Sequence, residues 1–155
     1  MESWREVLRN GFLPFMPTSG LLAVQKALAN DDPRLIQSAT TTPPPLMCVQ
    51  DWPVEAADFI GFIYWQSGTL EANTVGCVEE AFARACFNAD QALGEPAACR
   101  YALNHWDDAE DRHALFSEML DEVNRELASR VPEDDEVEDD EDESDIGCPV
   151  ALEVK

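Results

Sequence analysis

Residues 133–145, Glu133-Asp134-Asp135-Glu136-Val137-Glu138-Asp139-Asp140-Glu141-Asp142-Glu143-Ser144-Asp145, place eleven carboxylates in thirteen positions. Like charges at that density repel one another and offer almost no apolar surface to bury. The run therefore predicts a disordered acidic tail with at best fluctuating helix. It splits the chain into a body, 1–132, and a tail, 133–155, whose last residues from Ile146 to Lys155 turn apolar again. The acidity is not confined to the tail. Of a formal net charge of −22, the body, with 20 acids and 9 bases, carries −11, and the tail, with 12 acids and 1 base, carries the other −11.

A body of this length is the size of one ordinary domain and can bury a core without metal or disulfide staples. No apolar run approaches the length needed to cross a bilayer, so no membrane partner is expected. The opening Met1-Glu2-Ser3-Trp4-Arg5-Glu6 carries acids where a secretory or mitochondrial address carries bare positive charge, and the chain reads as cytoplasmic. Cysteines at 48, 77, 86, 99 and 148 are odd in number and lack a Cys-x-x-Cys pair. Free thiols, most of them small buried hydrophobes, are the expectation.

Periodicity in the body is helical throughout, and the fold class expected is all-α: a compact single-domain bundle of about six to seven helices, some short. Trp4, Val7, Leu8 and Phe12 share one helical face, which Gly11 and Pro14 close. A second helix is expected from Thr18 or Ser19 through Leu21, Leu22, Val24 and Leu28 to Asn30. Asp32-Pro33 reads as a cap and first residue opening a short helix to about Ala39. Thr40 to Leu46, with Pro43, Pro44 and Pro45, must be extended. From about Val54 to Gln66 the pattern is apolar on nearly every side, as for a helix at the centre of a bundle or under a partner. Val75, Val78, Phe82, Ala85, Cys86, Ala89 and Leu93 form the cleanest stripe, stopped by Gly94. Pro96 opens a helix with Cys99, Ala102, Leu103 and Trp106. The last helix, capped by Asp107 or Asp108, buries Leu115, Phe116, Met119, Leu120, Val123 and Leu127 and ends at Pro132.

Chemistry-bearing motifs are scarce. There is no glycine-rich phosphate loop, no nucleophile elbow and no zinc spacing, so neither a cofactor nor an enzyme is expected. The weak metal candidates are His105, Asp108, Glu110 and His113, which compete with a simple helix–helix junction whose acids cap the next helix.

The functional expectation follows from charge. A chain this acidic repels phosphates, so direct nucleic-acid binding is disfavoured and a basic partner protein is favoured. The leading reading is an adaptor or regulatory subunit. It would contact its partner through Trp52, Phe59, Tyr64 and Trp65, while Glu133 to Glu136, Glu138, Asp139, Asp140, Glu141, Asp142 and Glu143 steer the encounter. The alternative is an inhibitor that imitates nucleic acid with the carboxylate row Glu118, Asp121 and Glu122 on the last helix. A metal-dependent enzyme built on residues 105–113 ranks third.

Overall fold

The computed structural model describes residues 3–41 and 50–137, with 131–137 as backbone alone. Pro43 to Pro45, Cys48, the acids from Glu138 onward and the apolar C-terminal end lie outside the described residues. Among those described, the architecture is helical. Six α-helices, α1 (Trp4–Val7), α2 (Thr18–Ala29), α3 (Phe59–Ser67), α4 (Val75–Leu93), α5 (Cys99–Asp108) and α6 (Arg112–Val137), are accompanied by one π-helical turn, one 3-10 turn and isolated β-bridges.

Ser3 and Glu6 open α1 with a reciprocal capping box. The helix does not stop at Gly11 but widens into a π-helical turn, Leu8–Phe12, and then tightens into a 3-10 turn, Leu13–Phe15, that accepts Pro14. Widening keeps Leu8, Gly11 and Phe12 on the buried side, where Gly11 lies flat against Ala89 and Leu93 of α4. The next helix, α2, occupies the middle of the bundle, antiparallel to two neighbours. Ser19 Oγ donates to the Ser67 carbonyl at the end of α3, Gln25 donates to Asn124 of α6, and Arg130 reaches back to Thr18.

Two expectations are corrected in the connection from α2 to α3, and a third at the head of α6. Asp32-Pro33 opens no helix: the Asp32 carboxylate instead accepts from the Arg34 backbone N–H at 2.9 Å and from its guanidinium at 2.8 Å, closing a turn. Leu35 is then drawn into the core as a bridge partner of Ala57, and Ser38 takes φ +70. The apolar run also starts its helix later than Val54, because Val54 donates to the Asn73 carbonyl and Ala57 to that of Arg34. The true cap is Asp58, whose Oδ1 accepts from Gly61 N–H at 2.7 Å. Nor does Asp107 or Asp108 cap α6. Asp107 accepts from Ser38 N–H, and Asp111 accepts from Ala114 N–H at the head of the helix.

The core gathers around Trp106. Its ring stacks on Phe116 at 5.6 Å between centroids and meets Phe59 at 5.6 Å, while its indole N–H donates to the Ile36 carbonyl. The stripe on α4 is buried as its spacing predicts at Val75, Val78, Ala85 and Ala89, with Phe82, Cys86 and Leu93 packed at its margin. At the far end α6 continues through Pro132 to Val137. Proline removes one hydrogen-bond donor there, yet its fixed φ is itself helical. Glu133 to Glu136 accordingly lie within the backbone of α6, and the helix end expected at Pro132 falls at Val137.

Close approach of α2 and α3 depends on Gly20, where a Cβ would overlap the Ile63 carbonyl. Gly20→Ala is expected to cost about 2–3 kcal/mol, because a backbone atom cannot move aside as a side chain can. Urea unfolding followed by circular dichroism measures it; an unchanged midpoint would mean that the helices stand further apart.

Candidate functional site

The segment 31–41 is irregular, and its polar groups are satisfied by the corner between α5 and α6. Gln37 Nε2 donates to the carbonyls of Trp106 at 2.7 Å and Ala109 at 3.0 Å, taking the acceptors left open where α5 ends. Arg112, from the first turn of α6, donates to the Asp31 carboxylate at 2.9 Å and to the Asp32 carbonyl at 3.0 Å. This pinning gathers Asp31, Asp32, Asp107, Asp108, Glu110 and Asp111 at one end of the molecule. Only Arg34 and Arg112 offset them there, and Asp31, Asp108, Glu110 and Asp111 are exposed.

Cations are largely consumed inside the fold. Arg5 and Arg9 both bind Glu122, Arg34 binds Asp32, Arg84 binds Glu80, Arg112 binds Asp31 and Arg130 binds Glu126. Of the nine bases in residues 1–132, Lys26, Arg100 and Arg125 carry no such pair among the described residues. Exposed acids, by contrast, recur on several segments at Asp51, Glu55, Glu71, Glu79 and Asp121. The described surface is thus anionic with few free counter-charges.

Glu122 does not belong to that surface. Its residue is 2% exposed, and Arg9 Nε donates to it at 2.7 Å, with a second bond from Arg9 Nη2 at 3.0 Å and one from Arg5 Nη1. Burial pushes the Glu122 carboxyl up, but the Arg9 and Arg5 hydrogen bonds together outweigh it and hold the group below the usual carboxylate range. One turn earlier, Glu118 Oε1 accepts from His105 Nε2 at 2.9 Å, and the imidazole stacks on Trp4 at 3.9 Å with 6° between planes. Glu118 and Glu122 therefore clamp α1 and α5 onto α6, and of the proposed carboxylate row Asp121 alone is free and exposed. Nothing local distinguishes Glu122 from Asp121 in sequence, since the arginines that bury it lie 113 and 117 positions away.

The apolar candidates divide in the same way. Phe59 is core, not interface, at 2% exposure. Tyr64 and Trp65 are half-buried, Trp65 edge-on to Phe62, with the Arg34 guanidinium 5.6 Å from its ring centroid. Trp52 is exposed, as are Phe15, Leu22 and Phe87, and these lie on four separate segments. An open groove of about 400 Å³ between α2 and α3 is lined by Leu22, Lys26, Arg34, Phe62 and Gln66.

Nor are the metal candidates brought together. His105 is engaged by Trp4 and Glu118, while Asp108, Glu110 and His113 are exposed, and no three His, Cys, Asp or Glu side chains are placed to hold a metal ion among the described residues. A feature that composition could not reveal is Asp58, 5% exposed beneath the anionic corner. Burial pushes its carboxyl up to about 8, with Asp107 adding to the effect and the Gly61 N–H opposing it.

Glu122→Gln is expected to cost about 2–3 kcal/mol, less than for a fully buried pair because Arg5 and Arg9 keep 40% and 38% of their side-chain exposure. The folded carboxyl titrates below its ordinary value of 4.5, so the wild-type advantage is complete above that pH and is lost as pH falls through the folded value. Denaturant midpoints of both proteins against pH read this directly. Asp58 has the opposite sign. Its folded value exceeds the ordinary 3.8, so stability is full below that pH and declines as pH rises towards about 8. Asn preserves the cap, and Asp58→Asn is expected to gain about 1–3 kcal/mol at pH 8 and nothing near pH 4.

Comparison with family models, with curated proteins and with solved structures found no match, so the function of this chain is read from its own residues.

Proposed function

We propose that the protein is a non-enzymatic adaptor or regulatory subunit that engages a basic partner protein, offering the anionic corner of its helical body and using the acidic segment beyond α6 to steer the encounter. The observation that carries this reading is the internal consumption of cations. With six arginines tied to carboxylates of the same chain, a partner meets a surface whose acids are mostly uncompensated. Fields of one sign accelerate association with oppositely charged proteins and suppress other partners.

Imitation of nucleic acid along α6 draws less support, because Glu122 is buried and Glu118 is bound to His105. An apolar contact through the segment from Trp52 to Trp65 is likewise narrowed, to Trp52 and the exposed edges of Tyr64 and Trp65. No helix of the described residues is long and apolar enough to cross a membrane. A cytoplasmic location fits the abundance of thiols and belongs to the same proposal.

Affinity capture from source cells tests the reading. Full-length protein is compared with two charge-neutralised variants. One carries Asp108→Asn, Glu110→Gln and Asp121→Asn; the other replaces the acids of 138–143 with their amides. Capture of proteins with basic surfaces is expected at about 0.05 M salt, to fall steeply by about 0.5 M, and to weaken in both variants. Capture indifferent to salt and to both variants would overturn the proposal in favour of an apolar contact. Displacement of the captured protein by duplex DNA would favour nucleic-acid imitation.

A further inference from the structure

The turn between α4 and α5 is wound around a single carboxylate. Asp90 accepts from the Ala97 N–H at 3.1 Å and from the Cys99 N–H at 2.8 Å, and Ala97 adopts φ +62 to make this approach. Cys86 precedes Asp90 by one helical turn and so shares its face of α4. Tying the Cys99 backbone to Asp90 therefore sets the first residue of α5 against the turn of α4 that carries Cys86. The two thiols thereby share one environment: each acts on the other's titration, and the Asp90 carboxylate acts on both. Both are free, Cys86 half-buried and Cys99 buried. Cys77, nine residues earlier on α4, projects from the opposite side of the helix and cannot compete for either.

We propose that Cys86 and Cys99 are a redox-sensitive dithiol pair that closes to an intramolecular disulfide between α4 and α5 on meeting a low-molecular-weight disulfide such as oxidised glutathione. The more accessible Cys86, as thiolate, attacks one sulfur of the oxidant, forming a mixed disulfide and releasing one glutathione thiol. Cys99, on losing its proton, attacks the Cys86 sulfur and releases the second. Two electrons pass from the protein dithiol to the oxidant, and the two thiol protons end on the two released glutathione molecules. The new bond fastens the N-terminus of α5 to α4, on the helix whose other end carries Asp107 and Asp108.

Burial raises the Cys86 thiol far above its ordinary range, with Cys99 adding to it, and raises Cys99 in concert with the Asp90 carboxylate. A high thiol pKa makes attack slow at neutral pH. It also makes each sulfur a poor leaving group, so the closed form persists once made.

The test uses the full chain, incubated with excess oxidised glutathione between about pH 7 and about pH 9, quenched by acid and read by intact mass and non-reducing peptide mapping. Digestion at Glu95 separates the two cysteines. The expected product has lost two hydrogen atoms and links the Cys86 peptide to the Cys99 peptide, and the rate of closure rises about tenfold per pH unit because the attacking thiolate does. In Cys99→Ser the reaction is expected to stop at the mixed disulfide on Cys86, with helical circular dichroism confirming that the variant is folded. A free thiol at Cys86 or Cys99 after prolonged oxidation of the wild-type chain would overturn the proposal, as would a link from either to Cys48, Cys77 or Cys148.

Discussion

Trp106 joins segments that share no neighbouring sequence. Its ring lies between Phe59 of α3 and Phe116 of α6, its indole N–H satisfies the Ile36 carbonyl, and its own carbonyl is taken by Gln37. A buried indole must find an acceptor and an irregular segment must satisfy its backbone; here each requirement meets the other. Once 31–41 is held in this way, Leu35 enters the core and Asp58 is sealed beneath as the cap of α3. The acids at the end of α5 and the head of α6 then have a fixed place from which to face solvent. The anionic corner is a by-product of how the aromatic core closes.

Charge in this protein does two jobs that a sequence cannot separate. Some carboxylates are structural: Glu122 holds the N-terminal segment through two arginines, Glu118 holds His105 against Trp4, Asp90 folds the turn between α4 and α5, and Asp58 and Asp111 begin helices. Others, such as Asp108, Glu110 and Asp121, remain exposed. Six of the eight arginines are tied to Glu122, Asp32, Glu80, Asp31 and Glu126, so Asp108, Glu110 and Asp121 have no arginine partner among the described residues. Internal pairing and external acidity are two sides of the same allocation.

Local pattern was legible where the chain is regular. The stripe on 75–93 and its Gly94 stop emerge as α4, because the spacing and the left-handed stop both lie within one helix. The face of α6 from Leu115 to Leu127 is buried for the same reason. Expectations failed where a side chain has two physically equivalent uses. Asp32 before proline serves as a helix cap or as a turn closure, and burial of Leu35 decided for the turn. An all-round apolar helix is core or interface, and for Phe59 the ring of Trp106 decided for core.

Sequence alone determined the helical class, the main helices and the excess of negative charge, because periodicity, capping chemistry and net charge are properties of neighbouring residues or of simple sums. Tertiary structure decided which carboxylates are free, which aromatic residues face inward and which of the described cysteines share the turn between α4 and α5. Those outcomes depend on partners tens of residues or more than a hundred residues away in the chain. The physical reason is that a helix face carries no record of what will cover it: Asp121 and Glu122 are adjacent in sequence, and only the approach of Arg5 and Arg9 makes one a buried anchor and leaves the other to solvent.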